Sequence, residues 1–282
     1  MKFNHFSDVD NFKDNILDIL LEKEVENNLL ISILTDSSRE NSAEWLLATV
    51  TGDNSEILLI SICTKPFNLL LSKPSGTFED GSVDFLANEL KRINFIPPGV
   101  IAEKELAQLF SEAYCSNIIN TNMHMTMTIM KLDKLSEYKK APGFCRVLTE
   151  KDLSFTPDWE RAFSVDCQVP VFSLDEYRKR IETRLGRNIH YIWEDDGPVA
   201  QAVWGRNTPN SAAVSWVYTP PEHRGKGYAT SVVAELSNSI LKSGKTSCCL
   251  FADASNPVSQ GVYRKLGYYE VCRVDEIKFD IR

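Results

Sequence analysis

Six consecutive residues, Arg224-Gly225-Lys226-Gly227-Tyr228-Ala229, combine two glycines with two cations just before an apolar-periodic run. Glycine lets the backbone approach a ligand closely. The first amides of a following helix have no intrahelical partner, and the helix dipole favours negative charge there. A phosphate is the natural guest of such a turn. The alternative is an ordinary strand-to-helix turn that binds nothing, because a short glycine pattern alone is weak evidence. The P-loop pattern G-x-x-x-x-G-K-[ST] does not fit, since the glycines flank Lys226 at the wrong distances. The dinucleotide fingerprint G-x-G-x-x-G fails at its last position, where Thr230 stands.

The neighbouring residues supply elements to hold this turn. Ala213-Val214-Ser215-Trp216-Val217-Tyr218 is β-branched and aromatic, which suits a buried strand. Pro220-Pro221 ends it, because proline has no amide hydrogen for a ladder. Tyr228, Val232, Val233, Leu236, Ile240 and Leu241 then recur at helical spacing, and Gly244 stops that helix. Ser247 to Ala252 reads as a second buried strand. Asn256 opens a helix as its N-cap, and that helix ends in Tyr263-Arg264-Lys265-Leu266-Gly267-Tyr268. Tyr263 taken alone reads first as a core aromatic on an amphipathic helix, although a tyrosine on a rigid helix can also serve as an acid.

Two of these stretches, in this order, resemble the GNAT superfamily of acyl-CoA-dependent N-acetyltransferases. Arg224 to Ala229 is similar to its [QR]-x-x-G-x-[GA] turn, and Asn256 to Tyr268 to its N-x-x-(A/S)-x-x-x-Y-x-K-x-G-(F/Y) segment. The resemblance covers roughly residues 143–282. It implies acetyl-CoA as cosubstrate, no metal, and direct attack by a primary amine. By the same resemblance, Val217, Tyr218 and Thr219 would contact the pantetheine arm and polarise the thioester carbonyl. Arg224, Gly225, Lys226, Gly227, Tyr228, Ala229 and Thr230 would hold the pyrophosphate, mainly through amides. Asn256 would hydrogen-bond the arm, and Tyr263 would protonate the leaving thiolate. Pro220-Pro221 fits a strand that parts from its neighbour to admit the arm.

The chemistry itself sets the remaining requirements. A lysine-like amine, with a pKa near ~10.4, is mostly protonated at neutral pH, so a base is useful. Glu160, Asp166, Glu194 and Asp195 are candidates by position, although the commoner role of each is a solvated surface charge. His190 and His223 are candidates only by side-chain type. Trp159, Trp193, Trp204 and Trp216 could line an acceptor pocket or simply pack the core. A non-catalytic acyl-CoA-binding regulatory module also fits the turn. A nucleotide-phosphate-binding protein of another class would instead prefer ATP or NAD over CoA.

At 282 residues, with 43% hydrophobic and 25% charged residues, the chain has the composition of a two-domain globular protein. A net charge of −8 argues against nucleic acid as partner and is compatible with a cationic amine acceptor, small molecule or peptide. No apolar run approaches ~20 residues, so no membrane partner is expected, and with no signal core after Met1 a cytoplasmic protein is expected. The seven cysteines show no metal-ligand spacing and read as reduced and structural.

Pattern along the chain predicts two helices within residues 8–35, strands at Trp45–Val50, Ile57–Cys63 and Asn68–Leu71, a helix over Ser82–Asn94, a strand at Val100–Ala102, a helix over Lys104–Cys115 and a strand at Met123–Leu132. The second half predicts the same order, from a strand at Arg146–Leu148 to a final strand pair, Tyr268–Val274 and Glu276–Ile281. The fold class expected is therefore α/β (α+β), a mixed sheet flanked by helices, with two GNAT-like domains in tandem: residues 1–135, a linker at 136–143, and 144–282. An unrelated α/β first domain is the alternative. The first half has no phosphate turn after Leu71, where Ser72-Lys73-Pro74-Ser75-Gly76-Thr77 stands. A degenerate first copy would support either the acceptor site or an oligomer interface, the latter admitting a homodimer.

Overall fold

The computed structural model describes residues 1–36, 42–74, 81–115 and 120–280. The Ser75-Gly76-Thr77 stretch and the expected strand end at Ile281 lie outside them. The chain divides into two compact units, Met1–Ile129 with Val271–Arg282, and Met130–Glu270. The final segment thus groups with the first unit rather than with residues 144–270.

The first unit runs β1 (Lys2–Phe6), α1 (Val9–Leu21), α2 (Asn28–Thr35), β2 (Leu46–Thr51), β3 (Ile57–Cys63), β4 (Leu69–Ser72), α3 (Ser82–Arg92), β5 (Gly99–Glu103), α4 (Lys104–Cys115) and β6 (Asn120–Leu132). Strand order is β1-β2-β3-β4-β5, then the last strand of the chain, β12 (Tyr269–Asp280), then β6. The β1–β2, β2–β3, β3–β4 and β5–β12 pairs are antiparallel and the β4–β5 pair is parallel. Adjacent residues serve opposite faces. Leu47, Ile60 and Leu70 meet Phe12, Ile16 and Ile31 of α1 and α2. Leu46, Leu59 and Leu69 meet Leu86, Leu90 and Phe110 of α3 and α4. A sheet covered on both faces needs apolar residues at successive positions, which is why these strands read as continuous hydrophobic runs.

The second unit repeats that order: β7 (Phe144–Val147), α5 (Thr156–Asp166), α6 (Leu174–Glu182), β8 (His190–Glu194), β9 (Pro198–Asn207), β10 (Ser211–Tyr218), α7 (Tyr228–Lys242), β11 (Ser247–Asp253) and α8 (Pro257–Lys265). Its strands lie in the order β7-β8-β9-β10-β11, antiparallel apart from the β10–β11 pair. Val232, Val233, Leu236 and Ile240 of α7 and Tyr263 and Leu266 of α8 pack on Ala200, Ala202, Val214 and Leu250. On the other face, Tyr177 and Ile181 of α6 pack with Leu148, Ile192 and Trp216.

Three expectations need correction or refinement. Lys2–Phe6 forms an edge strand on β2, which its half-exposed, polar-interrupted pattern did not announce. The final strand pair is one strand, β12, because Val274-Asp275-Glu276 pairs in unbroken register with Glu103, Ala102 and Ile101 of β5, which overrides the turn tendency of Asp275. Residues 136–143 are held against the second unit: Ser136 donates its amide to Leu266 O at 3.0 Å, Ala141 to Ser231 Oγ at 2.8 Å, and Trp193 Nε1 donates to Pro142 O at 2.7 Å.

Candidate functional site

The site lies where β10 and β11 stop pairing. Their parallel register runs Ser211↔Ser247, Ala212↔Cys248 and Ala213↔Cys249 only. Both strands continue, β10 to Tyr218 and β11 to Asp253. Val214 to Tyr218 therefore faces β11 without a ladder, and the two strands part there.

On its other edge, β10 carries a bulge. Ser215 pairs with Val203 and Tyr218 with Gln201, so three steps of β10 oppose two of β9. The extra residue is accommodated at Trp216, whose φ is +52°. A left-handed conformation costs a bulky L-residue roughly 1–2 kcal/mol, so the surroundings must hold it. Phe163 packs on the indole at 5.0 Å between centroids, Tyr177 meets it edge-on at 6.3 Å, and the Arg184 guanidinium lies 5.7 Å from the ring. A bulge leaves a backbone group without its ladder partner. Here Trp216 and Val217 lie between the paired Ser215 and Tyr218, so Val217 is the expected thioester residue that leaves the ladder, while Tyr218 stays paired with Gln201.

Beyond the strand, Thr219 O accepts from Arg224 Nε at 2.9 Å. Thr219 Oγ1 is a buried oxygen with no partner. A short 3-10 turn, Pro221–His223, leads into the glycines. Gly225 has φ +80° and Gly227 has φ +86°, and Gly227 is the N-cap of α7 with no side-chain cap. A Cβ on Gly225 would meet nothing within 4 Å, so this side of the turn is open. Ser231 donates its amide to Gly227 O at 3.0 Å, and the first amides of α7, which precede it, have no intrahelical acceptor. A cradle of open amides at a helix N-terminus fits a pyrophosphate.

The expected residues divide by what their side chains do. Lys226 is exposed beside the amides. The Arg224 guanidinium is already engaged, with Nη2 on Asp166 Oδ2 at 2.7 Å and the group over the Tyr218 ring at 5.8 Å. Tyr218 packs on Trp159 at 6.0 Å. The Tyr228 side chain is buried, its hydroxyl donating to Asp195, so only its backbone faces the turn. Ala229 and Thr230 are half-buried in the first turn of α7, and Val217 packs against the α7 side of the core. Asn256 is exposed and is the N-cap of α8, accepting from Ser259 N at 3.1 Å.

Tyr263 is 8% exposed, at the base of α8, meeting Tyr268 edge-on at 5.9 Å. Burial, with a smaller contribution from Cys167 nearby, raises its hydroxyl pKa above the ordinary tyrosine value. A hydroxyl raised in this way is protonated at neutral pH and is a weaker acid than an ordinary tyrosine.

None of the four acidic candidates is a free surface charge. Glu160 is 0% exposed and pairs with Arg184, leaving its second oxygen buried without a partner. Burial raises its pKa, and the charge of Arg184 only partly opposes this. Its expected surface role is therefore overturned: α5 lays this face on the sheet. Asp166 holds Arg224, Glu194 accepts from Arg146, and Asp195 accepts from Tyr228. The tryptophans also separate. Trp193 and Trp204 belong to the α7-side core, whereas Trp159 and Trp216 lie on the α5 side. Among the described residues, no group of three or more His, Cys, Asp or Glu could hold a metal ion. In the same way, no helix is long and apolar enough to cross a membrane.

Sequence reading missed Gln201 on this face and named His190 only by side-chain type. His190 and Gln201 are 1% and 0% exposed and touch each other, Nε2 to Oε1 at 3.2 Å. The available signal was a glutamine inside Val199-Ala200-Gln201-Ala202-Val203, polar where everything else is apolar.

A model of the FR47-like protein family matches residues 195–276. Curated protein sequences give no match. Among solved structures, a GCN5-related N-acetyltransferase from Sphaerobacter thermophilus superposes with a TM-score of 0.65 at 14% identity, covering 98% of this chain and 95% of its own. A GNAT-family acetyltransferase from Colwellia psychrerythraea gives 0.58 at 12% identity, over 99% and 100% of the two chains. A tandem GNAT protein from the clavulanic acid biosynthesis pathway gives 0.60 at 14%, over 100% and 99%. The chain therefore has the GNAT fold, and its C-terminal half matches a GNAT-related family over the segment that carries the phosphate turn, Asn256 and Tyr263.

Proposed function

We propose that the second unit moves an acetyl group from acetyl-CoA to a primary amine. The observation that carries this reading is the junction of two features within a few residues. The β10–β11 pair opens after Ala213↔Cys249, and the chain leaving that opening enters a turn of two left-handed glycines at the mouth of α7. One suits an extended arm and the other its pyrophosphate. The cosubstrate supplies an acyl group already activated as a thioester.

The chain's own residues supply the rest. The amides of Gly225 to Thr230 hold the phosphates, with Lys226 adding charge. The amide of Val217, freed by the bulge, faces the carbonyl oxygen and stabilises the charge that develops on it, with Tyr218 and Thr219 beside it along the arm. Asn256 contacts the arm. Tyr263 donates its proton to the departing sulfur, the conjugate acid of which has a pKa of about 8–9. The acceptor enters from the α5 side, where Trp159 and Trp216 lie.

A second reading draws on two observations. Tyr263 is nearly closed off in the core, and all four acidic candidates are engaged by other side chains. Both suit a module that binds acyl-CoA without transferring the group. Thermal unfolding with acetyl-CoA, CoA, ATP and NAD tests the ligand class. At a hundredfold excess over its dissociation constant, a specific ligand stabilises the fold by ~2.7 kcal/mol. A shift with CoA species alone is expected, and a shift with ATP or NAD instead overturns both readings. Tyr263→Phe then separates them. An enzyme loses turnover about 10²-fold or more with CoA affinity retained, whereas a binding module shows no turnover to lose.

A further inference from the structure

We propose that Gln201 is a positioning residue that clamps the β10 bulge, with His190 behind it, and so aims the Val217 amide; this rests on the acyl-transfer reading above. Gln201 lies on β9, opposite the bulge, and is fully buried. Its Nε2 reaches Trp216 O at 3.4 Å, the carbonyl of the left-handed residue itself. Its Oε1 lies 3.2 Å from His190 Nε2 on β8.

The orientation of this chain follows from donor and acceptor chemistry. A carbonyl can only accept, so the amide nitrogen of Gln201 must be the group that faces Trp216 O. The amide oxygen then faces His190, which must carry its proton on Nε2. The opposite nitrogen, Nδ1, is a bare lone pair, and it is buried with no partner. His190 is thus fixed as one neutral tautomer whose single proton serves Gln201. No acid–base step is open to it, and its place in the site is to hold the amide of Gln201 from behind.

Trp216 O belongs to the peptide unit whose nitrogen is Val217 N. Holding that carbonyl fixes the plane of the peptide and therefore the direction of the Val217 N–H. The indole contacts with Phe163 and Tyr177 fix the side chain of the bulged residue. The bond from Gln201 is the side-chain contact to its carbonyl. A donor group aimed at developing charge works only if it is held before the reaction begins.

The test uses the full chain with Gln201→Met, which keeps length and loses both hydrogen bonds, and His190→Gln, which keeps a donor towards Gln201. In ligand-free protein, hydrogen exchange in the peptide spanning Ala213–Thr219 should rise at least tenfold in Gln201→Met while peptides of α7 stay unchanged. His190→Gln should stay within threefold of wild type. With acetyl-CoA and a mixture of α-amino and ε-amino acceptors, free-thiol release should show kcat reduced at least tenfold in Gln201→Met. The KM for acetyl-CoA should stay within twofold, a split that general loosening of the unit would not give. Unchanged exchange at 213–219, or unchanged kcat despite faster exchange, overturns the clamp. A wild type that neither binds CoA nor releases thiol brings down the acyl-transfer reading and the positioning role with it. The exchange measurement in that case still reports whether Gln201 holds the bulge.

Discussion

His190 makes stability of the second unit depend on acid in a way the structure quantifies. Burial, reinforced by the charge of Arg184, lowers its pKa to about 3 from the ordinary 6.5, and the Gln201 bond and Asp152 oppose this only in part. The unfolded chain takes up a proton below pH 6.5, whereas the folded chain stays neutral until about pH 3. Over that window the unfolded state binds more protons, so stability falls as pH falls. From pH 7.5 to pH 5 the two values imply a loss of about 2 kcal/mol from this residue alone. Glu160 works in the opposite sense, since its raised pKa lets the folded state take a proton first, but it is present in wild type and variant alike. The comparison is therefore wild type against His190→Gln, by urea unfolding at constant ionic strength across pH 5–7.5. Tryptophan fluorescence reports the right unit, because four of the five tryptophans (Trp159, Trp193, Trp204 and Trp216) lie in it. The variant's advantage over wild type should grow by about 2 kcal/mol at the acid end. Parallel pH curves would refute a neutral, enclosed His190, and with it the tautomer on which the Gln201 orientation rests.

Two further outcomes follow from burial and backbone geometry. Glu160→Gln leaves Arg184 without its carboxylate in a nearly closed site and should cost about 3–5 kcal/mol in urea unfolding, most of it recovered in Glu160→Leu/Arg184→Met. Equal losses in the single and double variants would mean that the pair's charge is not what matters. Gly227→Ala meets no clash, its Cβ lying 3.8 Å from Ala141 Cβ, so its cost is conformational. It should destabilise by roughly 1–2 kcal/mol and weaken CoA binding, because the φ of +86° that opens the cradle is strained for alanine. Unchanged CoA affinity would remove Gly227 from the site.

The order of elements was legible because each helix and most strands carry a clean period. Lys104–Cys115 and Ile57–Cys63 match the pattern residue for residue. Asp8 and Asn256 act as the caps their types predict, accepting from Asn11 N and Ser259 N. What failed was information that lies in pairing rather than in local type. Lys2–Phe6 has no strong strand signal and exists as a strand because β2 offers it an edge. β12 is continuous because β5 pairs across its middle. In the site, glycine conformations were legible and side-chain destinations were not. Nothing in sequence says that Arg224 turns to Asp166, that Tyr228 turns inward to Asp195, or that Glu160 is enclosed by α5 against Arg184. The bulge at Trp216 was invisible for the same reason, since a tryptophan in a strand gives no hint of a positive φ.

The repeated order makes the first unit an internal control for the chemistry proposed in the second. The helix that follows β4 also begins at a left-handed glycine, Gly81 with φ +74°, as α7 begins at Gly227. The β4–β5 ladder is also short, Leu69↔Val100 and Leu70↔Ile101. A glycine-capped helix beside a brief parallel pairing therefore belongs to the scaffold and argues for no ligand by itself. The difference lies in the strand. β4 pairs with β3 in unbroken register, Ile60↔Ser72, Ser61↔Leu71 and Ile62↔Leu70, whereas β10 slips by one residue against β9. β4 keeps its ladder along these three pairs, whereas β10 turns Val217 out of its ladder at the bulge. The bulge at Trp216 and the second left-handed glycine, Gly225, are what the second unit adds to the features the two units share.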